Sequence, residues 1–459
     1  MRTGVVSFKN ITTSESIHRL DAPIYMTEGV LTRKLVAKSP YPLLTIGDVS
    51  KRIWHAGRWR RVYVTNPKHG ITLLGSSAIL KADVDNEKLV SIKYTDDIED
   101  KILKAGWTLI SCSGTIGNCA FANAKHAEKL ASQDVIRLSP NNILRGGLVY
   151  AYLASKYGYA MLTQGTFGSV IQHIEPQNVE SIPIPSFPDT FQKEVDDLIQ
   201  ESARLREEAA EALDEAKAIL TTFIGDDFNK VDKKYVGKVS INSIRKTLNN
   251  RFDPPVYINK GVSTVQNLSC KTIPLGECNA RFWYPGIFKR AYVKEGLPYI
   301  KGSSLFEINP FKRCDYLSRS RTPGLEDLWL KEGQILMSCA GICGQVKLIT
   351  KEYEDKKAIG SPDIIRIHPM DVLYTKEYLF AYLQLPFVYD YMQSLKYGSV
   401  IERFDIDTIK TIPVVTPTRE LSEEITGIIK LYIDCTYRAF NAEEKAIRMV
   451  EEEIEKWNK

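Results

Sequence analysis

Between Phe191 and Phe223 the apolar and small residues stand at 195, 198, 202, 205, 209, 212, 216, 219 and 223. Steps of three and four alternate without a slip, the seam of a long helix that lies along another helix. Val195, Leu198, Leu205, Ala212 and Ile219 carry that seam, and no Pro or Gly interrupts it. Pro188, Asp189 and Thr190 supply a turn and a cap at its start. A helix of this length with Ala or Ser at several seam positions buries too little by itself and wants a partner. Glu420–Trp457 repeats the pattern at Leu421, Ile425, Ile428, Tyr432, Cys435, Ala439, Ala442, Ala446 and Met449. Each helix follows a long stretch of mixed grammar, so the chain reads as globule, rod, globule, rod.

The globular stretches repeat one another. RLDAPIY (19–25) returns as RFDPPVY (251–257), and ILKAGWTLISCSGTIGNCAF (102–121) as WLKEGQILMSCAGICGQVKL (329–348). ASQDVIRLSP (131–140) returns as GSPDIIRIHP (360–369), TFGSVIQHIEP (166–176) as KYGSVIERFDI (396–406), and SIPIPSFP (181–188) as TIPVVTPT (411–418). Four further pairs fall in the same order, which makes the chain an internal duplication. Runs such as TLISC, DVIRL, QILMS and DIIRI read as buried strands between Gly and Ser turns. The Tyr/Leu/Ala-rich runs 147–163 and 376–395 have helical spacing. The expected architecture is therefore α/β in the loose, α+β sense. Two similar mixed domains, 1–188 and 251–418, are separated by long antiparallel coiled-coil helices at 189–223 and 419–459, with a polar linker at 224–250. The duplication implies a pseudo-twofold. Helices of this length run roughly 50–57 Å at about 1.5 Å per residue, long enough to hold two readers a set distance apart on a duplex.

Charge sharpens this picture. The net +5 hides −5 on 191–223 and −3 on 419–459, which leaves +13 on the rest. Basic globules on acidic rods point to a polyanion at the globules and another partner, or solvent, at the rods. No apolar run reaches the roughly 18 residues of a membrane span, and the start MRTGVVSFKN lacks a signal-peptide core. With eight Cys and no secretory signal, the expectation is a cytoplasmic protein with reduced thiols and no membrane contact.

The duplicated order, with R-x-D-x-P-x-Y opening each half, S-C-x-G-x-x-G in the strand–loop core, G-S-V-I, and I-P-x-x before each helix, resembles the specificity subunits of Type I restriction–modification systems. The resemblance spans nearly the whole chain. It implies two target recognition domains, each reading one half of a bipartite, asymmetric duplex DNA sequence. The helices would set the gap and dock two methyltransferase subunits. Through these, motor–endonuclease subunits would join for phage defence. S-adenosylmethionine, Mg and ATP would belong to the partner subunits, with no cofactor, metal or catalysis in this chain.

Residue chemistry agrees with a non-catalytic reading. FDPPVY (252–257) evokes the D-P-P-Y loop of amino-methyltransferases, but Val256 separates Pro255 from Tyr257, and no F-x-G-x-G loop precedes it. Pro362-Asp363 lacks the downstream E-x-K of a nuclease strand, so the duplicated Asp134 and Asp363 read as turn residues. The Cys spacings include no C-x-x-C, and neither H-E-x-x-H nor a P-loop occurs.

Candidate DNA contacts are loops where cations and aromatics interleave. KRIWHAGRWRRVYV (51–64) offers Arg58, Arg60 and Arg61 among Trp54, Trp59 and Tyr63, with Lys68 just beyond. ARFWYPGIFKRAYV (280–293) offers Arg281, Lys289 and Arg290, with Lys301 further on. Ser76 and Ser77 after Gly75, and Ser303 and Ser304 after Gly302, suit close backbone approach to phosphate or a plain turn. Lys312, Arg313, Arg319 and Arg321 form a basic loop with no equally basic counterpart at 81–95. Thr115, Gln164, Thr166 and Ser169 in the first half, and Tyr397 and Ser399 in the second, complete the candidate contacts. A solvated basic face is the bland alternative for the loops. At the level of the whole chain the alternatives are a two-reader subunit of a Type IIB-like complex and a duplicated adaptor that binds no DNA.

Overall fold

The computed structural model describes residues 27–164, 173–225, 237–245, 247–398 and 400–458. The first copy's opening motif (19–25) lies outside them. The chain divides into two units, Met1–Glu207 with Arg438–Lys459, and Glu208–Tyr437.

The first unit is built on two four-stranded sheets. Ser50–Trp54, Val135–Pro140, Thr108–Ser111 and Cys119–Phe121 form one in that order, all antiparallel. Tyr63–Val64, Leu89–Ser91, Gly70–Leu74 and Leu130–Ala131 form the other, whose last pair is parallel. A separate pair joins Leu43–Thr45 to Pro183–Pro185. DVIRL is indeed the central strand of the first sheet, and its apolar residues are fully buried, as a strand covered on both faces requires.

The second unit repeats this plan strand for strand. Ala280–Trp283, Ile364–Pro369, Ile335–Ser338 and Val346–Leu348 form the first sheet. Tyr292–Val293, Asp315–Leu317, Leu297–Ile300 and Ile359–Gly360 form the second, again with a parallel last pair. Thr272–Pro274 pairs with Pro413–Val415. The Ile-Pro segments are thus short strands, fixed from inside by matching tyrosines. Tyr152 donates to the Pro183 carbonyl at 2.6 Å and Tyr382 to the Pro413 carbonyl at 2.8 Å. The chain is two similar mixed α/β domains with long helices.

Asp189–Ile224 and Arg419–Glu455 are continuous helices. Within the first unit, Val195, Ile199 and Ala203 share a core with Ala446, Ile447, Val450 and Ile454 and with the helix Gly146–Ala154. Phe187 stacks on Phe191 and meets Trp457, while Ser202 donates to the Ala439 carbonyl at 2.7 Å. The buried Glu443 carboxylate is held by Arg206 and by the Tyr150 hydroxyl. Within the second unit, Ala216, Leu220 and Ile224 share a core with Leu421, Ile425 and Ile429. Of the seam positions read from the sequence, Val195, Leu205, Ala212, Ile425 and Ala439 are buried. Leu198, Ile219, Ile428, Tyr432 and Met449 are half-buried, while Ile199, Leu220, Ile429 and Val450, each next to one of them, are buried. A helix at 3.6 residues per turn drifts against a strict 3.5 repeat, which moves the inward face on by one residue.

Each central strand carries a fully buried arginine, and the two occupy equivalent places. Arg137 is 0 % exposed and donates to the Val135 and Ala131 carbonyls. Arg366, also 0 % exposed, donates to Ser361 at 3.1 Å, Ile364 at 2.6 Å and Gly360 at 2.9 Å. Burial pulls both guanidinium groups down to about 10. Backbone oxygens, rather than a carboxylate, gather round each charge and tie the central strand to the parallel edge of the second sheet.

Candidate nucleic-acid interface

The connection 55–62 leaves the first sheet of unit one after Trp54 and reaches the second sheet at Tyr63. Arg58 and Arg60 on it are exposed. Arg61 is half-buried, donates to the Gln133 side chain and lies 5.8 Å from the Trp59 ring. Lys101 approaches the same ring at 5.5 Å. Trp59 therefore stiffens the loop between two cations, while Arg58 and Arg60 stay at the surface.

From Arg61 the contacts run on into the other candidate loops. Gln133 donates to Asp134 at 2.9 Å, and Asp134 accepts from Ser113 at 2.8 Å. Asp134 also holds the turn around Ser132, as Asp363 holds that around Ser361. Gly114 adjoins Ser76, whose Oγ lies 3.8 Å from where a Cβ would stand. Thr115 and Ser77 are exposed nearby, and Thr115 shares a 3.0 Å hydrogen bond with Ser111. Lys68 is exposed in a separate short helix, Pro67–His69, whose cap is Asn66. Gln164 accepts from Arg33 at 2.9 Å and ties the helix Glu28–Val36 to the body. Thr166 and Ser169 lie outside the described residues, as does Ser399.

In the second unit Lys289 is exposed, while Arg290 donates to the Tyr299 hydroxyl at 2.8 Å, a bond that raises its pKa further. Lys301 pairs with Asp315 at 2.5 Å. Ser304 closes the turn on Lys301, and Ser303 is exposed beside it. Arg313, Arg319 and Arg321 are exposed, and Lys312 is half-buried. Tyr397 donates to Asp405 at 3.2 Å.

One pairing was missed in the sequence. Arg52 lies 4.3 Å over the Trp54 ring, whose Nε1 donates to the Asp100 carbonyl at 3.1 Å. Arg281 lies 4.9 Å over Trp283, whose Nε1 donates to the Asp327 carbonyl at 3.2 Å. The repeated R-x-W at 52–54 and 281–283 was the available signal. Both arginines are exposed, although Arg52 shares its charge with Asp100 at 2.6 Å.

The residues that evoked catalysis have structural partners. Arg251 pairs with Asp253, holds that carboxyl below its ordinary range, and donates to the Leu395 and Lys396 carbonyls at 2.7 and 2.6 Å. Tyr257 donates back to the Arg251 carbonyl. Burial pushes the Cys112 and Cys339 thiols up to about 12, which leaves them protonated and poor nucleophiles. Among the described residues no group of His, Cys, Asp and Glu is placed to hold a metal ion, and no helix is long and apolar enough to cross a membrane.

Residues 45–200 match the family model described as the Type I restriction modification DNA specificity domain. No curated protein matches the chain. Among solved structures, the chain is similar to a Type-I restriction-modification system S subunit from M. genitalium, at 12% identity and a TM-score of 0.33, over 91% of this chain and 96% of that one. The HsdS subunit from Thermoanaerobacter tengcongensis matches at 13% identity and 0.29, over 91% and 96%. A structure described by complex assembly and conformational transition of the type I R-M system matches at 13% and 0.29, over 91% and 98%.

Proposed function

We propose that this chain, whose residues 45–200 match the Type I restriction modification DNA specificity domain, is the DNA-specificity subunit of such a system. The observation that carries the proposal to the whole chain is the strand-for-strand repeat of that domain in the second half. Two domains of one build with different surface loops suit two readers of different half-sites. The first domain presents the exposed Arg58 and Arg60, and the second presents Arg313, Arg319 and Arg321 on a different loop. Positive charge gathers on the domains, where phosphates would meet it, and negative charge on the helices.

In this reading each domain recognises one half of a bipartite duplex target, and the chain itself transfers and cuts nothing. Methyltransferase subunits dock on it, and motor–endonuclease subunits join through them inside the cell. S-adenosylmethionine, Mg and ATP act in those subunits. The adaptor alternative separates cleanly by salt. The full chain, co-purified with its methyltransferase, is expected to bind duplex DNA with an affinity that falls steeply between about 50 and 200 mM salt. A stable complex with no DNA affinity at the lower salt would make the chain an adaptor.

A further inference from the structure

At equivalent places the two domains present the same loop with a different side chain at its tip. The loop leaves the strand Thr108–Ser111 in one domain and Ile335–Ser338 in the other. Gly114 and Gly341 have φ of +71° and +74°, and Gly117 and Gly344 have +76° and +90°, a region that favours glycine. The Gly117 N–H donates to the Ser111 carbonyl at 2.8 Å, and Gly344 to Ser338 at 3.0 Å. On this common frame stands Thr115 in the first domain and Ile342 in the second.

Ile342 is 62 % exposed, although its backbone is fixed through the bond from Ser338 Oγ to its carbonyl. A second segment, which bridges to this loop at Ala340 and Arg403, carries Val400 and Ile401, 93 % and 57 % exposed. Tyr397 and Arg403 exchange two backbone bonds of 2.9 Å at the base of that segment, and the Gly341 N–H donates to the Glu402 carbonyl at 3.1 Å. Three aliphatic side chains thus stand in water on two segments joined by a backbone bridge. Arg403 is exposed at their edge.

We infer that Ile342, with Val400 and Ile401 behind it, reads the 5-methyl group of a thymine in the major groove, and that position 115/342 is where the two domains differ in what they read. The inference rests on the proposed DNA-reading function. A base edge in the major groove offers one apolar group, the thymine methyl. A single aliphatic tip such as Ile342 matches a target of that size. The exposed Arg403, whose backbone bridges Ala340, puts a cation at the edge of the patch, where a phosphate would meet it.

The test uses the assembled methyltransferase complex and its mapped target, with each half-site thymine replaced in turn by deoxyuridine. At one position, loss of the methyl is expected to weaken binding about fourfold, the worth of one buried methyl group. Ile342→Ser, which leaves the glycine frame in place and offers no methyl to the base, is expected to weaken binding to the natural target similarly and to abolish the response to deoxyuridine. The inference is overturned if no thymine methyl matters, or if the response persists undiminished in Ile342→Ser. It is also overturned if that variant loses the methyltransferase instead, which makes the patch a protein contact. A complex with no sequence preference would overturn the proposed function as well.

Discussion

Replacing Arg366 with methionine is expected to destabilise the second domain by about 3–5 kcal/mol, the larger part from backbone oxygens left without a donor. Methionine fills much of the space but offers nothing to the carbonyls of Gly360, Ser361 and Ile364. Lysine is expected to rescue only partly, since an ammonium cannot span three oxygens as a planar fork does. Arg137→Met is the internal control, with the corresponding loss in the first domain, where the guanidinium serves the Ala131 and Val135 carbonyls. Denaturant unfolding of the full chain in its complex reads both. A loss below about 1 kcal/mol for Arg366→Met would mean that water replaces the guanidinium at little cost.

Joint replacement of Arg58 and Arg60 by alanine is expected to weaken duplex binding roughly ten- to a hundredfold at moderate salt. It should also reduce the slope of log affinity against log salt by about 2, near 0.9 for each phosphate no longer neutralised. Arg61 is better left in place. Its guanidinium braces Trp59 and bonds Gln133, so removing it would mix loop collapse with missing charge. Unchanged affinity and slope would take the connection 55–62 out of the interface. Arg281→Ala is expected to act in the same direction from the second domain, more weakly, because it removes one cation.

These two expectations differ in how visible they were from sequence. The exposed cations were legible because Arg and Lys interleaved with Trp and Tyr announce a basic surface before any fold is known. The long helices were legible because their period persists over so many residues, although the drift from Leu198 to Ile199 and from Ile219 to Leu220 depends on the true helical pitch. The duplication was legible from the order of motifs alone. Arg137 and Arg366 were hidden inside runs that read as buried strand. Their acceptors are backbone carbonyls only a few residues upstream, but a carbonyl oxygen belongs to every residue type, so nothing in the side-chain pattern marks it as a partner. The Arg33–Gln164 pair was hidden for a different reason, since its members stand 131 residues apart. Which strands pair, and the parallel edges in particular, depends on long-range closure that local pattern does not encode.

On the proposed function, this chain decides which DNA sequence a partner methyltransferase modifies. The most direct measurement is long-read sequencing of modified bases in cells that co-express the chain with that methyltransferase, beside cells in which the chain is deleted. One methylated motif of two short specified halves at a fixed gap, present only with the chain, is expected. Methylation that persists unchanged on deletion, or a stable complex that leaves no such motif, would contradict it.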